Sequence, residues 1–362
     1  MKRVNIILVF LIFPLLLNAQ NGGKGVFDFL NLTNSARVAS LGGKNISIYD
    51  EDLNLALQNP ALLNSTMNDK IILNYVNYFA GINYGYTGYS FDHKKFGTVS
   101  VGLQYMNYGN FIAADETGII TGEFSASDYA LNLIWSKDLF KNIKGGVNIK
   151  PIYSHLEAYS SFAIAADVGI TYYKTEEEFA ASLVLQNIGT QIKSYYKGHY
   201  ETIPFDIQLG VSKKLAHAPF RVNLTAHHLN KWNLRYDVPQ KVTQISFAEE
   251  NESNSGEVLT NILDNSLRHL IVGVELIPLK SFYASLGYNH QRRQEMKIYN
   301  KGGMSGFSWG FGVKLKKFGI SFGKATYHLA GASNHFSVYV DLSKMGKKKN
   351  IEVYQKREVI EL

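Results

Sequence analysis

The chain has 362 residues, no cysteine and a formal net charge of +7. The absence of cysteine excludes disulfides, thiolate metal sites and lipidation at a lipobox cysteine. The charge does not indicate a nucleic-acid-binding protein. Lys2 and Arg3, with a net three positive charges from Lys344 onward, account for five of the seven, so residues 20–343 carry only +2.

Residues 1–19 are predicted to be a secretory signal peptide. Lys2 and Arg3 form a positive n-region, Ile6 to Leu17 an apolar core, and Ala19 a small residue before cleavage at Gln20. The alternative is an N-terminal membrane anchor, but about 12 apolar residues fall short of the roughly 20 that span a bilayer. The sequence therefore predicts an exported protein, either soluble or an outer-membrane barrel.

Residues 20–66 are predicted to form a hatch that a barrel encloses. The stretch from Phe27 to Leu63 does not alternate and is too polar to span a bilayer, yet its apolar content indicates order. Asp50 and Asp52 are suited to the start of a short helix. Asn59-Pro60 would end it, because the residue before proline avoids the helical region.

Three further hatch features suggest how this segment is held. Ser35 and Arg37 lie close together, and Gly42-Gly43 permits a tight turn between two parts of the hatch. We expect Arg37 to form a salt bridge with a carboxylate of the lumen, with a ligand contact as the alternative. The sequence leaves open whether the hatch is a fixed stopper or a movable gate.

Residues 67–343 are predicted to form a transmembrane β-barrel. Phe307, Trp309, Phe311 and Val313 alternate with small or polar residues, as in strands between an apolar and a polar environment. The chain also holds 23 Tyr and 21 Phe but only 7 Pro. About fourteen antiparallel strands are predicted, at 70–79, 82–91, 96–107, 127–137, 142–154, 160–173, 178–188, 203–213, 219–230, 267–277, 281–290, 306–316, 318–326 and 334–343.

The predicted connections alternate in length. Short turns are expected on one side, and long loops at 108–126, 155–159, 189–202, 231–266, 291–305 and 327–333 on the other. This layout favours an outer-membrane barrel over a soluble β-sandwich or propeller. An even strand count places both termini in the periplasm, including a charged tail at 344–362 that lies in solvent or against anionic head groups.

The predicted long loops carry clustered charges. These either pair with one another in solvent or form a docking surface for a protein or an anionic glycan, since binding often resides in loops on a rigid scaffold. The candidate partner-binding residues are Asp115, Glu116, Glu249, Glu250, Arg292 and Arg293.

Candidate catalytic chemistry is sparse. His227 and His228 are adjacent in a predicted strand, so they are expected to face opposite sides and not to share a metal. No nucleophile turn or phosphate-binding loop is evident. We therefore predict no enzyme activity, no cofactor and no catalytic or metal residues.

Several segments of the chain together form a recognisable pattern: Phe29-Leu30-Asn31-Leu32, Ser35-Ala36-Arg37, Ala39-Ser40-Leu41-Gly42-Gly43, Asp50-Glu51-Asp52, Gln58-Asn59-Pro60-Ala61-Leu62-Leu63, Asp115-Glu116-Thr117-Gly118 and the run from Gly122 to Leu131. With these segments the chain resembles the PorQ-like outer-membrane proteins of the type IX secretion system of Bacteroidetes, within the PorV/PorQ branch of the FadL-like barrels.

The resemblance implies a FadL-like fourteen-stranded barrel with an N-terminal hatch in the lumen. It also implies a non-enzymatic role in the cell-surface attachment complex. There the barrel would anchor a PorZ-like surface protein beside the sortase PorU and PorV-like components, which attach cargo to lipopolysaccharide. The alternatives are a FadL-like transporter of hydrophobic small molecules, with a lipid or detergent in its lumen, and a PorV-like cargo shuttle.

Overall fold

Fourteen antiparallel strands close into one barrel, so the predicted all-β fold class is confirmed. The computed structural model describes residues 25–235, 255–296, 303–328 and 331–345. The strands are β1 Lys70–Asn77, β2 Asn83–His93, β3 Gly97–Ala114, β4 Ile120–Phe140, β5 Ile143–Leu156, β6 Tyr159–Lys174, β7 Phe179–Lys193, β8 Asp206–Lys214, β9 Phe220–Ala226, β10 Leu270–Leu279, β11 Phe282–Asn289, β12 Phe307–Lys314, β13 Phe318–His328 and β14 Gly331–Asp341.

The first and last strands close the barrel. β1 pairs with β14 in the register Lys70 with Asp341, and the remaining pairs join strands that are neighbours in sequence. Closure leaves the described sheet without a free edge, which a membrane requires because unpaired backbone groups cannot find water there. We call the barrel end with turns 141–142 and 280–281 the short-turn end, and the end with segments 227–269 and 290–306 the long-loop end.

The two faces of the sheet differ in polarity. In β12, Phe307, Trp309, Phe311 and Val313 are 37–45% exposed on the outer face, whereas Ser308 between them is buried. The other strands repeat this alternation, and the outer face is densely apolar. Such an outer face over a polar interior is the arrangement of a transmembrane barrel.

Several strands extend beyond the predicted bounds. The predicted loop 108–126 is mostly a continuation of β3 and β4, whose pairing runs to Ala114 and Ile120. Phe111 and Phe124 stack there, with ring centroids 5.1 Å apart. The predicted long connections 155–159 and 327–333 likewise shorten to 157–158 and 329–330. The prediction was wrong here because backbone pairing of β3 and β4 continues past the strictly alternating sequence, across register shifts at Asn107/Asn110 and Ala113/Ala114.

Short helices lie in the lumen and at the long-loop end. α1 is Ala36–Ser40, α2 is Asn54–Gln58, α3 is Ser255–Arg268 and α4 is His290–Met296. Shorter 3-10 turns lie at Asp28–Asn31, Pro60–Leu62, Ser65–Met67, Phe79–Gly81 and Leu342–Lys344. α2 matches the predicted hatch helix, while α3 and α4 occupy segments that were predicted to be loops. None of the described helices is both long and apolar enough to cross a membrane.

The described chain begins inside the barrel at the long-loop end. Gly25 bridges Thr202, and the Val26 amide donates to the Thr202 carbonyl at 3.0 Å. From there residues 25–69, which we call the hatch, run through the lumen to β1 at the short-turn end. The placement of both termini in the periplasm stays a prediction, because strand parity fixes only that β1 begins and β14 ends at the same end of the barrel. The signal peptide and residues 346–362 of the predicted tail lie outside the described residues.

Candidate functional site

Apolar side chains of the hatch fill the centre of the lumen. They come from α1, α2 and the turns around them, and all are less than 2% exposed: Leu41, Ile46, Ile48, Leu55, Leu62, Leu63 and Met67. Glycines of the inner wall make room for this packing. A Cβ at Gly146 would overlap the backbone of Pro60 and Ala61, and one at Gly323 would overlap the Ala36 carbonyl.

Hydrogen bonds fix α1 against the wall. The Ser35 side chain caps the helix by accepting from the Val38 amide, and the Ala36 amide donates to Ser337 Oγ at 2.9 Å. Ser40 Oγ lies 2.5 Å from Ser285 Oγ of β11. These bonds satisfy helix-end donors that would otherwise be buried without partners.

The turn after α1 has the conformation that its two glycines allow. Gly42 and Gly43 both have φ of 101°, which is strained for residues with a Cβ. The Gly42 carbonyl accepts from Asn289 Nδ2 at 3.2 Å, so the turn packs against the end of β11. The turn directs the chain from α1 to the following buried segment.

Arg37 lies at the centre of a buried ion cluster. Its Nε is 2.7 Å from Glu275 Oε1, its Nη2 is 2.7 Å from Asp50 Oδ2, and its Nη1 is 3.1 Å from Asp52 Oδ2. Arg221 of β9 contacts Glu275 at 2.9 Å and Asp50 at 3.3 Å. The predicted salt bridge between Arg37 and a lumenal carboxylate is confirmed.

The cluster keeps Arg37 and Asp50 ionised. Burial by itself would lower the pKa of Arg37, but Asp50, Glu275 and Asp52 outweigh it and hold the pKa above its ordinary value. Burial would likewise raise the pKa of Asp50, yet Arg37, Lys314 and Arg221 hold it well below 3.8. Charges buried together in this way tie the hatch to the wall at both β9 and β10.

Asn59 and Pro60 anchor the second half of the hatch. Asn59 Nδ2 donates to the Ile46 carbonyl at 2.8 Å and to Thr171 Oγ1 of β6 at 3.0 Å. Its Oδ1 accepts from the Ala61 amide at 2.9 Å, which caps the turn that begins at Pro60. This asparagine therefore joins two hatch segments and the barrel wall.

A second polar cluster lies at the long-loop end. β9 ends at Ala226, and His228 has a φ of +55°, so the two histidines that follow are not alternate strand residues. Their ring centroids are 4.6 Å apart, and Asp206 lies beside both. The prediction that they face opposite sides was wrong, because it required β9 to continue past Ala226.

Lys44 of the hatch completes this cluster. Its Nζ is 2.6 Å from Asp206 Oδ2. Burial, together with the positive charge of Lys44, lowers the pKa of His228 to about 4. A cavity of about 260 Å³ adjoins Lys44 and the two histidines and extends to α4. The neutral imidazoles thus border a space large enough for a small ligand.

The predicted partner-binding residues lie in different settings. Asp115 and Glu116 are exposed in the β3–β4 turn. Arg292 is half-buried with its guanidinium 4.1 Å from the centre of the Tyr327 ring, and Arg293 donates to the Gly303 carbonyl. Glu249 and Glu250 lie outside the described residues. Their role in partner binding stays a prediction.

The sequence alone did not reveal the wall residues that receive the hatch. Glu275 and Arg221 sit on polar faces of ordinary alternating strands, and their partners are far away in sequence. The only available signal was a charged residue on the inward face of an otherwise small or neutral strand. Arg37 was recognisable because it is the one arginine of the hatch.

These features define a fourteen-stranded transmembrane barrel with an ion-paired hatch in its lumen. No family model matches the chain, and no curated protein matches it.

Solved structures similar to this chain include two toluene transporters and a FadL homologue. The Ralstonia pickettii toluene transporter TbuX is 11% identical over 87% of this chain and 98% of its own, with a TM-score of 0.48. The Pseudomonas putida toluene transporter TodX is 11% identical over 85% and 96%, with a TM-score of 0.47. A Pseudomonas aeruginosa FadL homologue is 9% identical over 88% and 100%, with a TM-score of 0.44.

Proposed function

We propose that this protein is a non-enzymatic outer-membrane anchor of the type IX secretion attachment complex. It would hold a PorZ-like surface protein near PorU and PorV-like components while cargo is released and joined to lipopolysaccharide. The observation that carries this proposal is the hatch, which is packed and ion-paired to the wall at the centre of the lumen. A barrel that anchors a partner needs no open lumen.

The ion-paired hatch disfavours passage of a solute through the lumen. A moving hatch would have to separate Arg37 from Glu275 and Asp50 from Arg221, and each break leaves a buried charge without that partner. Breaking one buried pair costs about 3–5 kcal/mol. The hatch would also lose its apolar packing, so its displacement needs a strong external driving force.

The long-loop end offers a surface for a partner. In α3, Ile262, Leu263 and Leu267 are 47–55% exposed, and nearby Trp232 is 66% exposed. Asn265 fixes α3 to this neighbour by donating to the Trp232 carbonyl and accepting from the Leu234 amide. Apolar side chains held on an ordered support favour protein binding. The opening motifs shared with PorQ-like proteins support the type IX assignment.

A second candidate function is transport of a hydrophobic small molecule. The cavity of about 260 Å³ between the hatch and α4 favours it, since a transported molecule could first bind there. This function requires the hatch to move. The two candidates therefore differ in a single testable property, which is whether a fixed hatch abolishes function.

A disulfide that locks the hatch distinguishes the anchoring function from the transport function. Ser40→Cys with Ser285→Cys would place two sulfurs where the hydroxyl oxygens are 2.5 Å apart, near disulfide geometry, in a chain with no other cysteine. We expect the locked barrel to co-purify a PorZ-like protein from detergent-solubilised outer membranes as efficiently as the wild type. The single variants and the reduced double variant are the controls.

One outcome would contradict anchoring: loss of toluene or fatty-acid uptake only in the oxidised double variant, with no surface protein recovered from any variant. Unchanged partner recovery after deletion of 231–266, in a barrel that still shows heat-modifiable migration, would instead place the docking surface elsewhere. Replacement of the 115–119 turn by a short glycine turn serves as the matched loop control.

A further inference from the structure

Asp206, His227 and His228 converge where β8 begins and β9 ends. Oδ1 of Asp206 is 3.5 Å from Nδ1 of His228 and accepts a hydrogen bond of 2.6 Å from the His228 backbone amide. One potential ligand atom from each of the three residues lies within 4.8 Å of the others. Backbone and side chain together therefore hold the carboxylate and this imidazole in place.

The ring nitrogens of His227 have no evident structural role. Its side chain is 2% exposed, and neither nitrogen has a hydrogen-bond partner among the described residues. Leaving buried polar atoms unsatisfied is costly, so a bound group would account for them. His269 is different, because its two nitrogens contact the His227 and Trp232 carbonyls at 2.8 and 3.1 Å.

We propose that Asp206, His227 and His228 bind a divalent transition-metal ion of the Zn²⁺ and Cu²⁺ class. Two imidazoles and one carboxylate suit these ions, whereas Ca²⁺ and Mg²⁺ favour all-oxygen sites. The 3.5 Å between Asp206 and His228 matches the edge of a tetrahedron with metal–ligand bonds of about 2.0–2.2 Å. The ligand atom of His227 lies within 4.8 Å of the other two.

The surroundings supply access and an open coordination position. The cavity of about 260 Å³ beside both histidines leads toward α4 and can hold a water as fourth ligand. Three protein ligands and one exchangeable position are typical of sites at which a metal binds reversibly or meets a second molecule. The site shares no residue with the ion cluster of Arg37.

Lys44 opposes binding of the metal ion. Its ammonium is 2.6 Å from Asp206 Oδ2 and neutralises the carboxylate that the metal needs. The metal and Lys44 compete electrostatically for Asp206, so metal binding weakens the tie between this part of the hatch and β8. Removal of the lysine charge, as in Lys44→Met, should strengthen metal binding by about tenfold or more.

The experiment uses the full chain purified in detergent and stripped with a chelator. Calorimetric titration with Zn²⁺ should show one bound ion per chain, and Cu²⁺ should compete for the same single site. His227→Asn should weaken Zn²⁺ binding by roughly a hundredfold, since one of three protein ligands is lost. His217→Asn, in the exposed β8–β9 turn at the other end of the barrel, should leave it unchanged.

His228→Gln provides a second ligand variant if His227→Asn does not fold, and heat-modifiable migration reports folding in each case. The proposal is overturned if the wild type binds no Zn²⁺ at one equivalent, or if both ligand variants bind as the wild type does. It is also overturned if Lys44→Met weakens binding, or if inorganic phosphate rather than Zn²⁺ occupies the cavity. None of these outcomes depends on whether a surface partner is anchored.

Discussion

At the scale of single residues, Arg37 makes the largest electrostatic contribution to the hatch. It donates five hydrogen bonds to Asp50, Asp52 and Glu275, which uses all five N–H groups of a guanidinium. Its side chain is only 2% exposed, so solvent does not screen these contacts. The same arginine also lies 5.2 Å from the centre of the Tyr283 ring.

We expect Arg37→Met to weaken hatch docking by about 3–5 kcal/mol, because Asp52 would lose its ion-pair partner and Asp50 and Glu275 would keep only their contacts with Arg221. Hydrogen exchange of the α1 amides measures this loss while the barrel strands stay protected. The double variant Arg37→Met with Glu275→Gln is the control, and it should recover part of the loss. Equal protection of α1 in the wild type and Arg37→Met would show that packing alone holds the hatch.

The pH dependence of hatch docking should reverse in the single variant Arg37→Met. Arg37 and its neighbours hold the pKa of Asp50 well below 3.8, so the stabilisation is fully present above the ordinary carboxyl pKa. It is lost only as the pH falls through the lower, folded-state value. Hence α1 protection in the wild type should be constant from pH 7 to 5 and decline below about pH 4.

In Arg37→Met, only Lys314 and Arg221 oppose the effect of burial at Asp50, so the pKa of this carboxyl should rise and acidification from pH 7 to 5 should increase α1 protection. The two profiles, recorded by hydrogen exchange and corrected for intrinsic exchange rates, should therefore slope in opposite directions. Parallel profiles would mean that Arg37 does not set the protonation of the cluster.

At the scale of elements, the hatch depends on gaps in the wall. Gly146 of β5 leaves room for the turn Pro60–Leu62, and a Cβ there would meet backbone rather than a flexible side chain. Gly146→Ala should therefore destabilise the docked turn by about 1–3 kcal/mol, the usual cost of overpacking.

Exchange of the Leu62 amide, which donates to the Asn59 carbonyl at 3.0 Å, reports this effect. Gly122→Ala is the matched control, because Gly122 is also in a strand but has no atom within 4 Å of an added Cβ. If the Leu62 amide is equally protected from exchange in both variants, the turn has room to shift and the gap at Gly146 is not required.

Strands were predictable here because a membrane barrel imposes one polarity on each face. Every predicted strand corresponds to an observed one, and errors occur mainly where strands leave the apolar band, as in β3 and β4. α3 and α4 were missed since helices in polar loops are stabilised by local pairs such as Asp264–Arg268 at 2.8 Å. Such pairs do not create a strong apolar pattern.

The sites were less predictable than the strands. The composition of the hatch identified Arg37 and the Asn59-Pro60 stop, but only the folded barrel brings Glu275 and Arg221 to them. The cluster at His227 could not be predicted for a similar reason. It depends on where β9 ends and on the left-handed backbone conformation of His228. Contacts between residues far apart in sequence leave no periodic trace.

At the scale of the whole molecule, the inner and outer faces of the barrel have different roles. The inner face is polar and receives the hatch through ion pairs, while the outer face presents aromatic and aliphatic side chains to its surroundings. Stability in the membrane should therefore depend on the outer face, and hatch position on the inner one. A charge on the outer face tests this division.

Val313→Arg should destabilise the barrel in lipid by about 2–4 kcal/mol, the cost of a basic residue near mid-bilayer. Val313 is 37% exposed on the outer face and pairs with Ile320, which lies between Phe318 and Phe322 in the apolar band. Urea unfolding in liposomes, followed by heat-modifiable migration, measures the change. Ile119→Arg, in the exposed β3–β4 turn, should cost less than about 1 kcal/mol. Equal effects of the two substitutions would mean that the band around Val313 does not contact lipid.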